Sequence, residues 1–195
     1  LMMFGHSTGG LTAALYAQSG KHRQKVNRLI LNSPFLGFKA DGATMSLLRF
    51  YGFLGGFNYN AVLPREGSPL YTQTIHSSEK GEWDFNFAWR PRTGFPFYQS
   101  WVHAILEGHQ KVDQGLNLEC PILMLTSSQS YSDGVLNAKA MRSDVVLDVP
   151  TLRTKVDKLG KVVVYKSIPG GLHDIFLSPE PVRQKAFEAI EKWLK

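Results

Sequence analysis

The chain opens Leu1-Met2-Met3-Phe4-Gly5-His6-Ser7-Thr8-Gly9-Gly10, and continues Leu11-Thr12-Ala13-Ala14-Leu15. Four apolar residues ahead of a glycine-rich turn read as the last residues of a buried strand. The residues after the turn, over 10–19, carry small and apolar side chains at helical spacing, with Gly20 expected as the C′ residue that closes the helix. Strand and helix are separated by so few residues that the connection must be tight, with Ser7 at its apex. The stretch lacks the charged leader and the cleavage site of a signal peptide. A chain that starts inside its own strand is expected to be the carboxyl-terminal part of something longer, cut within its sheet.

Beyond residue 20 the pattern alternates. Val26 to Leu31 reads as a strand ended by Asn32-Ser33-Pro34, and Pro121 to Thr126 as a second, strongly apolar one. Pro150 suits the first turn of a helix over 150–159, stopped by Gly160. Lys161 to Ile168 is β-branched and aromatic, a third strand. Residues 179–194 repeat apolar positions at Val182, Ala186, Ala189, Ile190 and Trp193, a last helix. Strands alternating with helices predict an α/β fold, a mostly parallel sheet covered on both faces. Residues 35–118 interrupt this alternation and hold 16 of the chain's 23 aromatic residues. So long a loop without structure of its own is improbable in a compact unit. We therefore expect a core of residues 1–34 and 119–195, and over 35–118 an inserted cap with helices at Ala43–Leu54 and Tyr98–Lys111. Phe50, Phe53, Phe57, Trp83, Phe87, Trp89 and Trp101 are the expected lining of an apolar cleft.

Composition narrows the classes. The chain has 195 residues, 43% hydrophobic and 19% charged, which excludes a disordered tail, a collagen-like repeat and a coiled coil. No run approaches the ~18 apolar residues of a membrane span. The net charge is +6, but its densest group, Lys21 to Arg28, sits between two elements and reads as a solvated turn, so no nucleic-acid partner is expected. Cys120 is the single cysteine, so neither an internal disulfide nor a cysteine-based zinc site can form. Oligomeric state and compartment leave no trace in the sequence; cytoplasmic is only the default.

Gly5-x-Ser7-x-Gly9 between a strand and a helix is the arrangement of a nucleophile elbow. Such a turn lifts the serine hydroxyl out of the sheet, and a Cβ on the flanking glycines is expected to strike neighbouring backbone. The Thr8 N–H, at the start of the helix, is the candidate oxyanion donor. A serine hydroxyl needs a base. His22 lies in the basic turn, and His76, His103 and His109 lie in the expected cap without metal-ligand spacing. His6, inside the turn, is expected to point away from Ser7 and to serve packing or hydrogen bonding. His173, in the loop Pro169-Gly170-Gly171-Leu172-His173-Asp174 after the third strand, emerges where the active groups of a parallel sheet gather. An acid must hold its tautomer, and the order Ser…Asp…His leaves Asp133, Asp144, Asp148 and Asp157. Asp157 falls within the expected helix, and Asp174 is too close in sequence to orient its neighbour.

Four stretches carry a resemblance: Gly5 to Gly10, Gly81-Glu82-Trp83-Asp84-Phe85-Asn86, Ser143 to Val149, and Ile168 to Asp174. With them the chain resembles the carboxyl-terminal two-thirds of an α/β-hydrolase. It is most similar to the serine aminopeptidase-like branch that holds monoacylglycerol lipases and lysophospholipase-type esterases. The resemblance implies that the acid precedes a short hydrophobic step and a helix, which Asp144-Val145-Val146-Leu147 fits best. An extra stretch, Ser127 to Ser143, departs from the pattern and puts Ser130 at the usual acid position, so Asp133 and Asp148 remain alternatives. The implied activity is hydrolysis of an acyl bond by Ser7, His173 and Asp144, without metal or cofactor. The expected substrate is a small or lipid-like carboxylic ester, with a peptidase or a non-catalytic remnant as rival readings. In this family a second oxyanion donor comes from a loop after an earlier strand.

Overall fold

A computed structural model describes residues 1–57, 61–63 and 67–195. Six residues of the expected cap, 58–60 and 64–66, lie outside the described residues. Four strands form one sheet in the order β1 (Met2–His6), β2 (Arg28–Asn32), β3 (Ile122–Ser127), β4 (Val163–Ile168). All three pairings are parallel, with Met3 beside Leu29, Leu29 beside Ile122 and Ile122 beside Val163. Each strand begins one or two residues later than its apolar run. Pro121 has no N–H for the ladder, and Val26 follows the short 3₁₀ turn Arg23–Lys25. That turn is exposed, as its charge suggested.

Residues of β2 and β3 point alternately to two faces, and both faces are dry. Leu29, Leu31, Ile122 and Met124 share one core with Leu11 and Ala14 of α1 (Thr8–Ser19). Leu152 of α5 (Val149–Arg153) and Leu159 of α6 (Val156–Leu159) complete that face. Ile30, Leu123 and Leu125 meet Ala186 of the last helix, α7 (Glu180–Leu194), on the other. The α/β class read from the alternation is thus the observed fold.

The helix expected over 150–159 is two short ones. The Thr154 hydroxyl donates to the Thr151 carbonyl at 2.7 Å, and Lys155 N–H bonds Leu152 O at 3.0 Å, so the ladder tightens and breaks. Gly20 ends α1 in an extended conformation, φ −64°, rather than as a left-handed C′ residue. Between β2 and β3 run α2 (Gly42–Gly55), a short α3 (Leu70–Ile75) that no sequence signal announced, and α4 (Gln99–Gln114). α2 lies against α4 through its glycines; a Cβ on Gly55 would meet Gln99 O at 2.2 Å. The opposite face of α2 consequently turns outward. Leu36, Ile105 and Val112, inside the interruption, belong to the same core as Leu29 and Ile122.

Candidate active site

β1 ends at His6 and α1 begins at Thr8, so one residue makes the whole turn. Ser7 takes φ 53° and ψ −123°, outside the regions an L-residue occupies without strain. Its N–H is held by Asn32 O at 3.1 Å, and its carbonyl accepts from Gly10, Leu11 and Phe35. A Cβ on Gly5 would lie 2.6 Å from Gly9 O, and one on Gly10 2.7 Å from the Pro34 Cβ. Gly9 itself has nothing within 4 Å. The crowded pair is therefore Gly5 and Gly10, not Gly5 and Gly9, because the helix leaves the turn with Gly10 facing Pro34 in the loop after β2.

His173 arrives from the far end of the chain. After β4 the loop turns at Gly170, φ 81°, and Ser127 Oγ at the tip of β3 donates to Gly171 O at 2.6 Å. This seats His173, 2% exposed, with Nε2 3.0 Å from Ser7 Oγ. Its Nδ1 lies 3.0 Å from Asp144 Oδ2. The other carboxylate oxygen accepts the N–H groups of Val146 at 2.9 Å and Leu147 at 2.8 Å. Asp144 is fully buried.

The extra stretch after β3 loops out and returns. Ser130, at the position where the resemblance places the acid, forms a parallel bridge with Asp144, which carries the carboxylate back to the strand end. Asp133 is exposed. Asp148 caps α5, accepting from Thr151 N at 2.9 Å, and stands 3.2 Å from Lys39 Nζ. Burial opposes its ionisation, but the Thr151 hydroxyl and amide and the Lys39 ammonium together hold the carboxyl below the usual range. Asp157 lies in α6, away from the cleft.

Ser7 and Thr8 lie at the base of a cleft of about 1170 Å³. Phe35, Phe38, Trp101 and Leu147 supply apolar lining, and Ser130 and Arg153 are among its polar lining residues. Thr8 is the first residue of α1, whose opening N–H groups have no carbonyl one turn earlier. The expected aromatic lining needs correction. Of the seven rings, Trp101 alone borders this cleft. Phe50 and Phe53 are 56% and 63% exposed, because the glycine face of α2 is the one turned to α4, and Phe57 and Trp89, outside that helix, are 76% and 81% exposed. Trp83 donates from Nε1 to Leu177 O at 3.0 Å, and Phe87 packs on His76.

The three histidines of the interrupting segment bond to backbone carbonyls: His76 to Phe85, His103 to Gly52 and His109 to Phe35. Burial pushes His109 below the usual histidine range. Sequence reasoning missed Tyr71 and Asn32. The Tyr71 ring stands edge-on to His173 at 5.1 Å, and Asn32 Nδ2 donates to Asp174 Oδ1 at 2.7 Å. Nothing marked Tyr71, whose helix has six residues, whereas Asn32 stood in a turn read only as a strand end.

The sequence matches the family described as serine aminopeptidase, S33, a family of hydrolases, over residues 1–180. The chain belongs to that family. Its fold is the α/β-hydrolase fold, shared at low identity with solved structures. A monoglyceride lipase from Saccharomyces cerevisiae, crystallised with a substrate analogue, aligns with all of this chain and 64% of its own length. That alignment has a TM-score of 0.70 and 18% identity. A monoacylglycerol lipase from Paleococcus ferrophilus aligns with 99% of this S33 chain and 67% of its own, at 0.66 and 18%. A thermophilic esterase from Thermogutta terrifontis gives 0.52 and 17%, over 100% and 64%. This S33 chain thus spans about two-thirds of the length of those structures. No curated protein sequence matches it.

Proposed function

We propose that the protein is a serine hydrolase that cleaves a carboxylic ester with an apolar acyl or alkyl part. The observation that carries this reading is the continuous hydrogen-bonded line from Ser7 Oγ through the His173 ring to buried Asp144, 3.0 Å at each link, at the base of an apolar-walled cleft. A neutral His173 with its proton on Nδ1, donated to Asp144, presents the Nε2 lone pair to the serine hydroxyl. Ser7 Oγ gives its proton to Nε2 as it attacks the ester carbonyl. The Thr8 N–H donates to the tetrahedral oxyanion, where the opening of α1 also favours negative charge. Asp144 stabilises the imidazolium, which then hands its proton to the departing alkoxide. A water deprotonated by the same nitrogen attacks the acyl-enzyme, and collapse releases the acid and restores Ser7. The segment 35–118 acts as a cap that supplies the apolar wall through Phe35, Phe38 and Trp101.

The family's description favours one alternative, a peptidase, since the same three groups cleave amides. The test is covalent labelling of Ser7 by a fluorophosphonate, with fluoride leaving as the phosphorus–oxygen bond forms. Ser7→Ala is expected to abolish labelling, and Ser7→Ala and His173→Ala each to lower turnover at least ~10³-fold. Labelling that persists in Ser7→Ala removes the assignment, and faster cleavage of aminoacyl amides than of esters selects the peptidase.

A further inference from the structure

The His173 ring touches more than its two hydrogen-bond partners. His6, one residue before Ser7, lays its ring 4.8 Å from it at 56°. His6 Nδ1 faces the Asn32 carbonyl at 3.1 Å, and a carbonyl can only accept, so Nδ1 carries the proton. Nε2 is then a lone pair in the neutral ring and a second N–H in the cation. It faces Asp174 Oδ2 at 3.7 Å and the Tyr71 hydroxyl at 3.5 Å. Asp174 is fixed in turn, its Oδ1 accepting from Asn32 Nδ2 at 2.7 Å and from Phe176 N at 3.1 Å. Arg90 covers the other side of Tyr71, 4.7 Å from its centroid.

We propose that His6 is a positioning residue for His173, a neutral wall of the base's pocket that turns into a block when it binds a proton opposite Asp174. This rests on the reading of His173 as the base. The neutral ring of His6 and the edge of Tyr71 confine the imidazole between them while Asp144 and Ser7 hold its two nitrogens. A proton on His6 finds a carboxylate waiting at 3.7 Å, but it also puts a cation beside a ring that must itself become a cation during acyl transfer. The charged or titratable groups around the pair are Asp144 from the loop after β3, Asp174 from the loop after β4, and Tyr71 backed by Arg90 from the interrupting segment. Burial holds His6 below the usual histidine range, against the pull of Asp174, and burial likewise keeps the Tyr71 phenol protonated. His6 therefore stays neutral in the working range and takes up its proton on the acid side.

The experiment is the pH dependence of kcat/KM for Asp174→Asn, measured on the whole protein. Asparagine keeps both acceptor bonds of Oδ1 and turns an N–H toward the His6 lone pair, which holds that ring neutral. The acid limb is expected to move to lower pH by roughly half a unit or more, with the alkaline plateau within about threefold of the parent. A purely structural Asp174 would leave the limb in place, so superimposable limbs overturn the proposal. His6→Phe, which keeps a ring but cannot titrate, is expected to move the limb the same way. His6→Ala is expected to lose kcat about tenfold or more with KM unchanged; parental kcat in that variant also overturns the proposal. If Ser7→Ala keeps its turnover, the base assignment fails and takes this inference with it. If Ser7→Ala and His173→Ala are inactive and the Asp174→Asn limb does not move, this inference alone fails.

Discussion

Asp133, Asp144 and Asp148 separate the three things a carboxylate does in this fold. Asp144 is buried and gives both oxygens to neighbours, one to His173 and one to two backbone N–H groups. Asp144→Asn keeps the shape but offers His173 an amide that can stabilise the wrong tautomer, and it should lower turnover by about 10³–10⁴-fold. Asp148 caps a helix, so Asp148→Ala should cost ~1 kcal/mol of stability and spare turnover. Exposed Asp133→Asn should change neither. Turnover and thermal unfolding of the three variants check this, and a larger activity loss in Asp148→Ala or Asp133→Asn than in Asp144→Asn would put the acid elsewhere. His109 carries a second prediction at this scale. It is buried, bonded through Nε2 to Phe35 O at 2.9 Å, and its folded-state pKa lies below its unfolded one. The unfolded chain then binds more protons once pH drops below about 6.5, so the stability present above that value is lost as pH falls toward the folded pKa. His109→Gln keeps an N–H for Phe35 O and should show a smaller drop in Tm between pH 7 and 5 than the parent. Equal drops would show that His109 is not a source of the acid sensitivity.

The decisive element is the junction of β1 and α1. It holds a non-glycine residue at φ 53°, and α1 approaches Pro34, in the loop after β2, closely at Gly10. Gly10→Ala would drive a Cβ to 2.7 Å from Pro34, whose ring cannot swing aside, and should destabilise by about 1–3 kcal/mol. Gly9→Ala meets open space within a helix, where alanine is preferred by up to about 1 kcal/mol, so it should be neutral or stabilising. Denaturant midpoints of the two variants decide between this assignment and the symmetrical one that the Gly-x-Ser-x-Gly spacing suggests. Equal losses would mean that the turn relaxes in a way its packing does not indicate.

At the scale of the whole molecule, the two central strands, β2 and β3, are dry on both faces, and the cleft is lined by residues of α2, α4 and the loop that carries Asp144. In the proposed reaction the acyl or alkyl part lies along Phe35, Phe38 and Trp101. Each added methylene buried there contributes up to ~0.8 kcal/mol, roughly a factor of four in kcat/KM. Medium-chain esters should therefore outrun acetates, Trp101→Ala should flatten that preference, and Phe53→Ala, on the outward face of α2, should leave it intact. A chain-length profile altered by Phe53→Ala and not by Trp101→Ala would reverse this account of the cleft. Among the described residues, no helix is long and apolar enough to cross a membrane.

Local chemistry made the alternation of strands and helices legible, because runs such as Ile122-Leu123-Met124-Leu125 are buried on both faces and need no partner to announce themselves. The strand–Ser7–helix turn and His173 in its glycine loop were legible for the same reason: each is a short-range pattern of backbone demands and side-chain type. Asp144 was favoured by family spacing and not by its own sequence. What sets it apart from Asp148 is a bridge to Ser130 that closes a loop of more than a dozen residues, and no local preference encodes that closure. The cap aromatics were misread because composition counts rings but does not say which way a helix turns. The face of α2 that points inward is decided by a contact with α4 about fifty residues away. Likewise His6, Tyr71 and Asp174 come from three distant segments and become neighbours only when the sheet brings β1, β4 and α3 to one edge of His173. Periodicity and turn chemistry act over a few residues and are written in the chain itself. Helix facing, loop closure and the grouping of distant side chains are set by long-range packing, and that exists only once the sheet has formed.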